Sequence, residues 1–261
     1  MKKLIALSVL TSLPSLAAAE TYQFFGGLGF EDTDADNSEM KTLLDAKYYF
    51  SGQDTVGPLD QFSYIDDTSE IHASVTSQDD SDVVKLGGSY YFDRFAIGAD
   101  YTDYDGFYET RLNAGFFILN NFKATLGYTM PEEGDDVADF GLEYDHAIND
   151  SDYIGFSFGY TDYEESLIEL STKYLNAFDN GQFFVFEAAY ADAEDSAFEA
   201  SAKWYVNKNT GFEFGADDQD FMYIGATHFF NTNFAVDVMV GQDDSGADAV
   251  TVYGIEAVLQ L

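Results

Sequence analysis

Apolar and polar residues alternate along this chain in blocks of about ten, and that period of two constrains the fold more than any other feature. Val84, Leu86, Gly88, Tyr90 and Phe92 fall on one face, and Lys85, Gly87, Ser89 and Tyr91 on the other. Phe122, Ala124, Leu126 and Tyr128 oppose Lys123, Thr125, Gly127 and Thr129 in the same way, as do Ile154, Phe156, Phe158 and Tyr160 against Gly155, Ser157, Gly159 and Thr161. Successive side chains of a strand point to opposite faces, so each block makes a sheet with one apolar and one polar side. Ten residues is also the length that a tilted strand needs to cross a bilayer.

Such blocks fall at 22–31, 40–50, 62–77, 82–92, 94–104, 107–119, 122–130, 137–147, 153–163, 166–175, 182–192, 196–206, 211–217, 220–230, 233–241 and 249–261. Their number is even, as single-chain bacterial barrels require, with 14 to 18 strands inside the uncertainty of the pattern around 51–70. The expected fold is therefore all-β, a transmembrane antiparallel up-and-down barrel of about 16 strands. A soluble β-sandwich is the alternative, but 25 Phe and 19 Tyr spread over nearly every strand would overfill the space between two sheets.

The connections alternate between two kinds. One is short, neutral and rich in Asn, Asp and Gly, residues that tolerate the positive φ of tight hairpins: Asp93-Arg94, Asn120-Asn121, Asn149 to Asp152, Asn176 to Gly181, Asn207 to Thr210 and Asn231 to Asn233. The other kind is acidic. Segments 31–39, 78–82, 103–109, 131–139, 162–165, 192–195, 217–220 and 242–248 hold more than half of the 48 carboxylates and no Lys or Arg. Outer-membrane barrels turn tightly on the periplasmic side, so the neutral turns are expected there and the acidic loops outside. Aromatic residues gather beside the neutral turns, at Tyr48-Tyr49-Phe50, Tyr90 to Phe92, Phe229 and Phe230, as an interfacial girdle would.

The first residues carry an export signal. Lys2 and Lys3 precede an apolar stretch from Leu4 to Leu16, and Ala17-Ala18-Ala19 supplies the small residues of a cleavage site. Residues 1–19 are read as the signal peptide and 20–261 as the barrel, delivered to the outer membrane of a Gram-negative cell. The chain has no Cys, so the exported protein uses no disulfide or thiol chemistry.

The block Tyr48-Tyr49-Phe50 followed by Gly57-Pro58-Leu59 and Phe62, with the same hairpin style over nearly the whole chain, resembles the general bacterial porins of marine and other gammaproteobacteria. The resemblance implies a 16-stranded diffusion pore surrounded by lipid and lipopolysaccharide and inserted by the outer-membrane assembly machinery. It leaves monomer and homotrimer both open. Two features depart from that pattern: the last strand closes on Leu261 rather than an aromatic residue, and no outward connection is long enough to fold in as a constriction.

A charge facing lipid near the bilayer centre costs about 2–4 kcal/mol, so strand charges are assigned to the lumen. The pore lining is expected to include Lys47, Lys85, Asp100, Arg111, Lys123, Glu143, Glu169, Lys173, Glu187, Glu199, Lys203, Glu213 and Asp237, with Lys41, Asp45, Asp139, Asp145 and Glu256 on the same face. A formal charge of −37 adds an acidic mouth, which favours passive diffusion of small hydrophilic solutes with cations preferred. The competing reading is a non-conducting barrel acting as receptor, adhesin or structural protein, against which the short loops count. His72, His146 and His228 lie on separate strands and read as lumen or interfacial residues. Asp32, Asp34 and Asp36 imitate the start of a calcium loop but lack its Gly at position six and its Glu at position twelve. No catalytic, metal, cofactor or nucleic-acid signature is present, and an enzyme is not expected.

Overall fold

The computed structural model describes residues 21–34, 40–79, 81–149, 151–163, 165–246 and 249–261. Sixteen strands account for most of them: β1 Thr21–Thr33, β2 Lys41–Asp54, β3 Glu70–Gln78, β4 Ser81–Phe92, β5 Phe95–Tyr104, β6 Phe107–Leu119, β7 Phe122–Pro131 and β8 Val137–Ala147. The second half comprises β9 Tyr153–Thr161, β10 Leu167–Ala177, β11 Phe183–Asp192, β12 Ser196–Asn207, β13 Thr210–Asp217, β14 Phe221–Asn231, β15 Phe234–Asp243 and β16 Val250–Gln260. Each strand pairs antiparallel with its chain neighbours, and β1 closes on β16 with Phe25 opposite Gln260 and Thr33 opposite Val252. Closure satisfies every edge, which is what allows a sheet to stand in lipid. The proposed signal peptide, 1–19, lies outside the described residues.

The pairing register puts the apolar set of each strand on the outside. Leu126, Ile224 and Phe230 are 63%, 64% and 64% exposed, and comparable Phe, Tyr, Leu and Ile side chains line the outside of nearly every strand. Between the strand tips, the outward positions carry no Asp, Glu, Lys or Arg among the described residues. A water-exposed belt of this kind would drive aggregation, whereas hydrocarbon solvates it at no cost.

All the neutral turns fall at one end of the barrel and all the acidic connections at the other. Asp93, at the neutral end, takes φ +54°, and Asp79, Asp105 and Asp220, at the acidic end, take +56°, +55° and +65°; Asp tolerates this conformation in tight hairpins. Four register shifts, at Tyr22/Phe24, Phe117/Leu119, Tyr205/Asn207 and Phe229/Asn231, lie at the neutral rim, where bulges re-aim side chains.

One expectation fails. The block 62–77 is not a single strand: β3 begins at Glu70, and residues 55–69 form a long connection at the neutral end that folds into the barrel. Its centre is buried, with Leu59 2% and Ile65 7% exposed. Phe62 and Tyr64 alternate like strand residues, but their partners are side chains of the barrel wall rather than a neighbouring backbone. The lumen therefore does contain a constricting segment. It enters from the turn side, not from the acidic loops.

Candidate functional site: the lumen and its inward segment

All thirteen side chains expected to line the pore share one face of the wall by register. Asp100 stands opposite Arg111, Lys123 opposite Glu143, Lys173 opposite Glu187 and Lys203 opposite Glu213. Lys47, Lys85, Glu169, Glu199 and Asp237 occupy the same parity on β2, β4, β10, β12 and β15. Their pairing is local. Lys123 Nζ lies 2.9 Å from Glu143, Lys173 Nζ 2.8 Å from Glu187, and Lys203 Nζ 3.8 Å from Glu213. Lys47 sits over the Tyr49 ring at 5.6 Å, and neither it nor Lys85 forms an ion pair among the described residues.

Glycines at inward positions widen the reach of these charges. Arg111 of β6 contacts Asp139 of β8 across β7, where Gly127 leaves the space that a Cβ would take from both side chains. His72 of β3 reaches Asp100 of β5 in the same manner across Gly87. Across Gly27 of β1 the two groups that converge are both acids, Asp45 and Glu256.

Acids outnumber bases on the wall between β6 and β13, and Glu169 and Glu199 form no ion pair among the described residues. A cavity of about 620 Å³ opens along β6 to β13 toward the acidic end, lined by Asp139, Glu143, Glu169, Glu199, Asp217 and Asp218 with Arg111 as its basic member. Gly141, Gly159, Ser157, Ser171, Ala189 and Ala197 form its floor, small residues that leave the volume open. Glu31, Glu70, Glu109 and Asp217 also fall on the inward parity, although sequence reasoning places three of them in loops and does not single out Glu70.

At the neutral end the 55–69 segment spans the lumen. The Leu59 N–H donates to Lys208 O at 3.0 Å, and its carbonyl accepts from Gln260 Nε2 at 3.2 Å. Its side chain packs with Phe229, Ala235 and Val258. Asp60 accepts from Lys203 Nζ at 3.0 Å and from the Tyr205 hydroxyl at 2.8 Å, and that hydroxyl accepts from Gln61 Nε2 at 2.8 Å. Tyr205 itself is 1% exposed. Phe62 meets Phe25 edge-on at 5.2 Å, and the Tyr64 ring lies over Gly155, where any Cβ would strike it. Lys123 Nζ donates to Asp66 O at 3.4 Å. Gly57 turns the chain inward at φ +99°, with its face against Phe183. The segment thus contacts strands around most of the circumference.

The turns around this floor are tied down. Asp152 accepts from the Ala177 N–H at 2.7 Å, from Asn149 Nδ2 at 2.6 Å and from Asn176 Nδ2 at 3.0 Å. Burial pushes its carboxyl up, but these donors together with Ser151 outweigh burial and hold it below the usual carboxylate range. His72 belongs to the lumen, whereas His146 and His228 lie outward beside Tyr144 and Phe230 near the neutral rim.

A closed 16-stranded barrel with an apolar belt and a charged interior is the architecture of outer-membrane β-barrels. Residues 1–258 match the family described as "putative general bacterial porin", and the chain belongs to that family. The outer membrane protein Omp33 of Acinetobacter baumannii matches with a TM-score of 0.62 at 17% identity, over 94% of this chain and 100% of that one. The outer membrane protein OprD of Pseudomonas aeruginosa matches at 0.55 and 8% identity, over 92% and 93%. OpdQ of Pseudomonas aeruginosa matches at 0.53 and 9%, over 92% and 97%. At such identities the likeness is one of fold. No curated protein matches the chain by sequence.

Proposed function

We propose that the barrel is a non-enzymatic diffusion porin for small hydrophilic solutes that prefers cations, with its acidic end outside the cell and its neutral turns in the periplasm. The observation that carries this reading is the lumen wall, where six carboxylates around the 620 Å³ cavity meet one guanidinium. An apolar-packed interior would demand a partner for each of those charges, whereas a water-filled one solvates them. The pore-lining set comprises Lys47, Lys85, Asp100, Arg111, Lys123, Glu143, Glu169, Lys173, Glu187, Glu199, Lys203, Glu213 and Asp237. Residues 1–19 act as a cleaved export signal, and the assembly machinery inserts the rest as a monomer or homotrimer. Conductance in planar bilayers tests the pore, and a reversal potential set toward the anion under a salt gradient would refute the cation preference.

The second reading, a closed barrel serving as receptor, adhesin or structural protein, is favoured by the seated 55–69 segment. Stable current steps would eliminate it, and silence from a folded barrel would establish it over the porin.

A further inference from the structure

We propose that His72 is a specificity-determining residue of the lumen, a proton-operated clasp whose state sets how many wall carboxylates face the solute path. It rests on the porin reading for its consequence but not for its chemistry. His72 Nδ1 lies 3.0 Å from Glu70 and Nε2 3.2 Å from Asp100. A neutral imidazole carries one N–H and one acceptor nitrogen, so it can donate to only one of these oxygens. The imidazolium donates to both. Two carboxylates are then engaged by one cation, joining β3 to β5 over the intervening β4.

The arrangement is built rather than incidental. Gly87 stands on β4 between the two partners, and a Cβ there would come within 2.7 Å of His72 Nε2. Asn113 Nδ2 donates to the far oxygen of Asp100 at 3.3 Å, fixing that carboxylate from β6. The Glu70 side chain is 8% exposed, so it has little water to turn to when the ring withdraws.

The remaining charged groups nearby do not substitute for the ring. On β2, Lys47 is directly opposite His72, with Asp45 and Tyr49 on either side; Lys47 lies over the Tyr49 ring. On β4, Lys85 flanks Gly87 without an ion pair among the described residues. Arg111 of β6 is opposite Asp100 but turns to Asp139. In the inward segment, Asp66 lies next to Tyr49 rather than next to the ring.

Histidine is the side chain that changes charge between pH 5 and 8. When the imidazolium gives up its proton, one hydrogen bond and one positive charge are lost, and the lumen gains one net negative charge beside the solute path. Cation preference increases. As pH falls, the clasp closes and cation preference drops.

Reversal potentials in planar bilayers at pH 8 and pH 6 test this, with wild type, His72→Gln, and His146→Gln and His228→Gln as controls for titration on the outer face. The cation-to-anion permeability ratio of wild type and both controls should fall about twofold or more from pH 8 to pH 6, while H72Q stays flat. A wild-type pH dependence retained in H72Q, or a conducting wild type with no dependence, would overturn the proposal. Heat-dependent gel mobility establishes that each variant is folded. Nitrogen-15 spectra of the histidine-labelled barrel in detergent separate the clasp from the pore: two ring N–H signals for His72 at pH 6 support it, and a single tautomer there refutes it. If the barrel is silent in bilayers, the porin reading falls and the spectra alone decide the clasp.

Discussion

Replacing Asp60 with Ala should loosen the inward segment and raise the current through the barrel. Asp60 Oδ2 accepts from Lys203 Nζ at 3.0 Å and from the Tyr205 hydroxyl at 2.8 Å, and both contacts sit in the poorly solvated floor of the lumen. Hydrogen bonds to a charged group contribute about 1.5–3 kcal/mol each, less what the freed groups recover. Lys203 keeps Glu213 at 3.8 Å, and Tyr205 keeps Gln61, so recovery is substantial. The net loss of seating is about 2 kcal/mol, roughly a 30-fold gain in the unseated fraction. The segment takes no part in the closed ladder of β1 to β16, so the barrel itself should stay folded. The assay is the time-averaged current per inserted barrel, with liposome swelling as a second measure. Lys203→Met alone and with Asp60→Ala completes a cycle, and the double variant should add little to either single one. An unchanged current in D60A, from a barrel that still shows heat-dependent gel mobility, would refute the inference that this clasp holds the segment across the path.

Other outcomes follow from the same geometry. Gly57→Ala places a Cβ at φ +99° and against Phe183, and should unseat the segment by about 1–2 kcal/mol, read as the same rise in current. Leu126→Arg, on the lipid face, should lower urea stability by about 2–4 kcal/mol, whereas Thr125→Arg, one residue earlier and facing the lumen, should fold normally and shift selectivity toward anions. Asp152→Asn should cost about 1–2 kcal/mol at pH 7. Because the Asp152 carboxyl is held below its unfolded value, that difference is present above the ordinary carboxylate range and disappears as pH falls through the lowered one, so wild type and variant should converge only below the ordinary carboxylate range. Intact mass of the protein purified from outer membranes should begin at Glu20, and retention of Met1 would refute the signal peptide.

The wall of the barrel was legible because a strand writes its orientation into a local pattern. Ile97 and Ala99 against Gly98 and Asp100 need no partner to be read, and the inward face shared by the thirteen proposed pore residues follows from parity alone. The floor was not legible. Phe62 and Tyr64 show the same period of two, and nothing local distinguishes a segment that packs on side chains from one that joins a ladder. Its partners lie far off in sequence, at Lys203, Tyr205 and Gln260. One signal could have marked it: Gly57-Pro58-Leu59 puts a proline and a large apolar residue in a connection whose counterparts are short and polar. The glycine windows were equally hidden, since Gly87 and Gly127 look like any small residue until the strands on either side are known.

The seat of Leu59 is built from the far end of the chain. Phe229, Ala235, Val258 and Gln260 belong to the last three strands, and the Gln260 contact joins residues 201 positions apart. The same Gln260 stands opposite Phe25 in the seam that closes the barrel. The early segment is synthesised long before this socket exists, so Leu59 cannot take its seat until the last three strands are in place. A nascent barrel halted before that step lacks the seat for Leu59, and one that has completed it holds the segment across the lumen with its own closing strand. Seating of residues 55–69 is therefore a chronological mark, the event that separates an assembling barrel from a finished one.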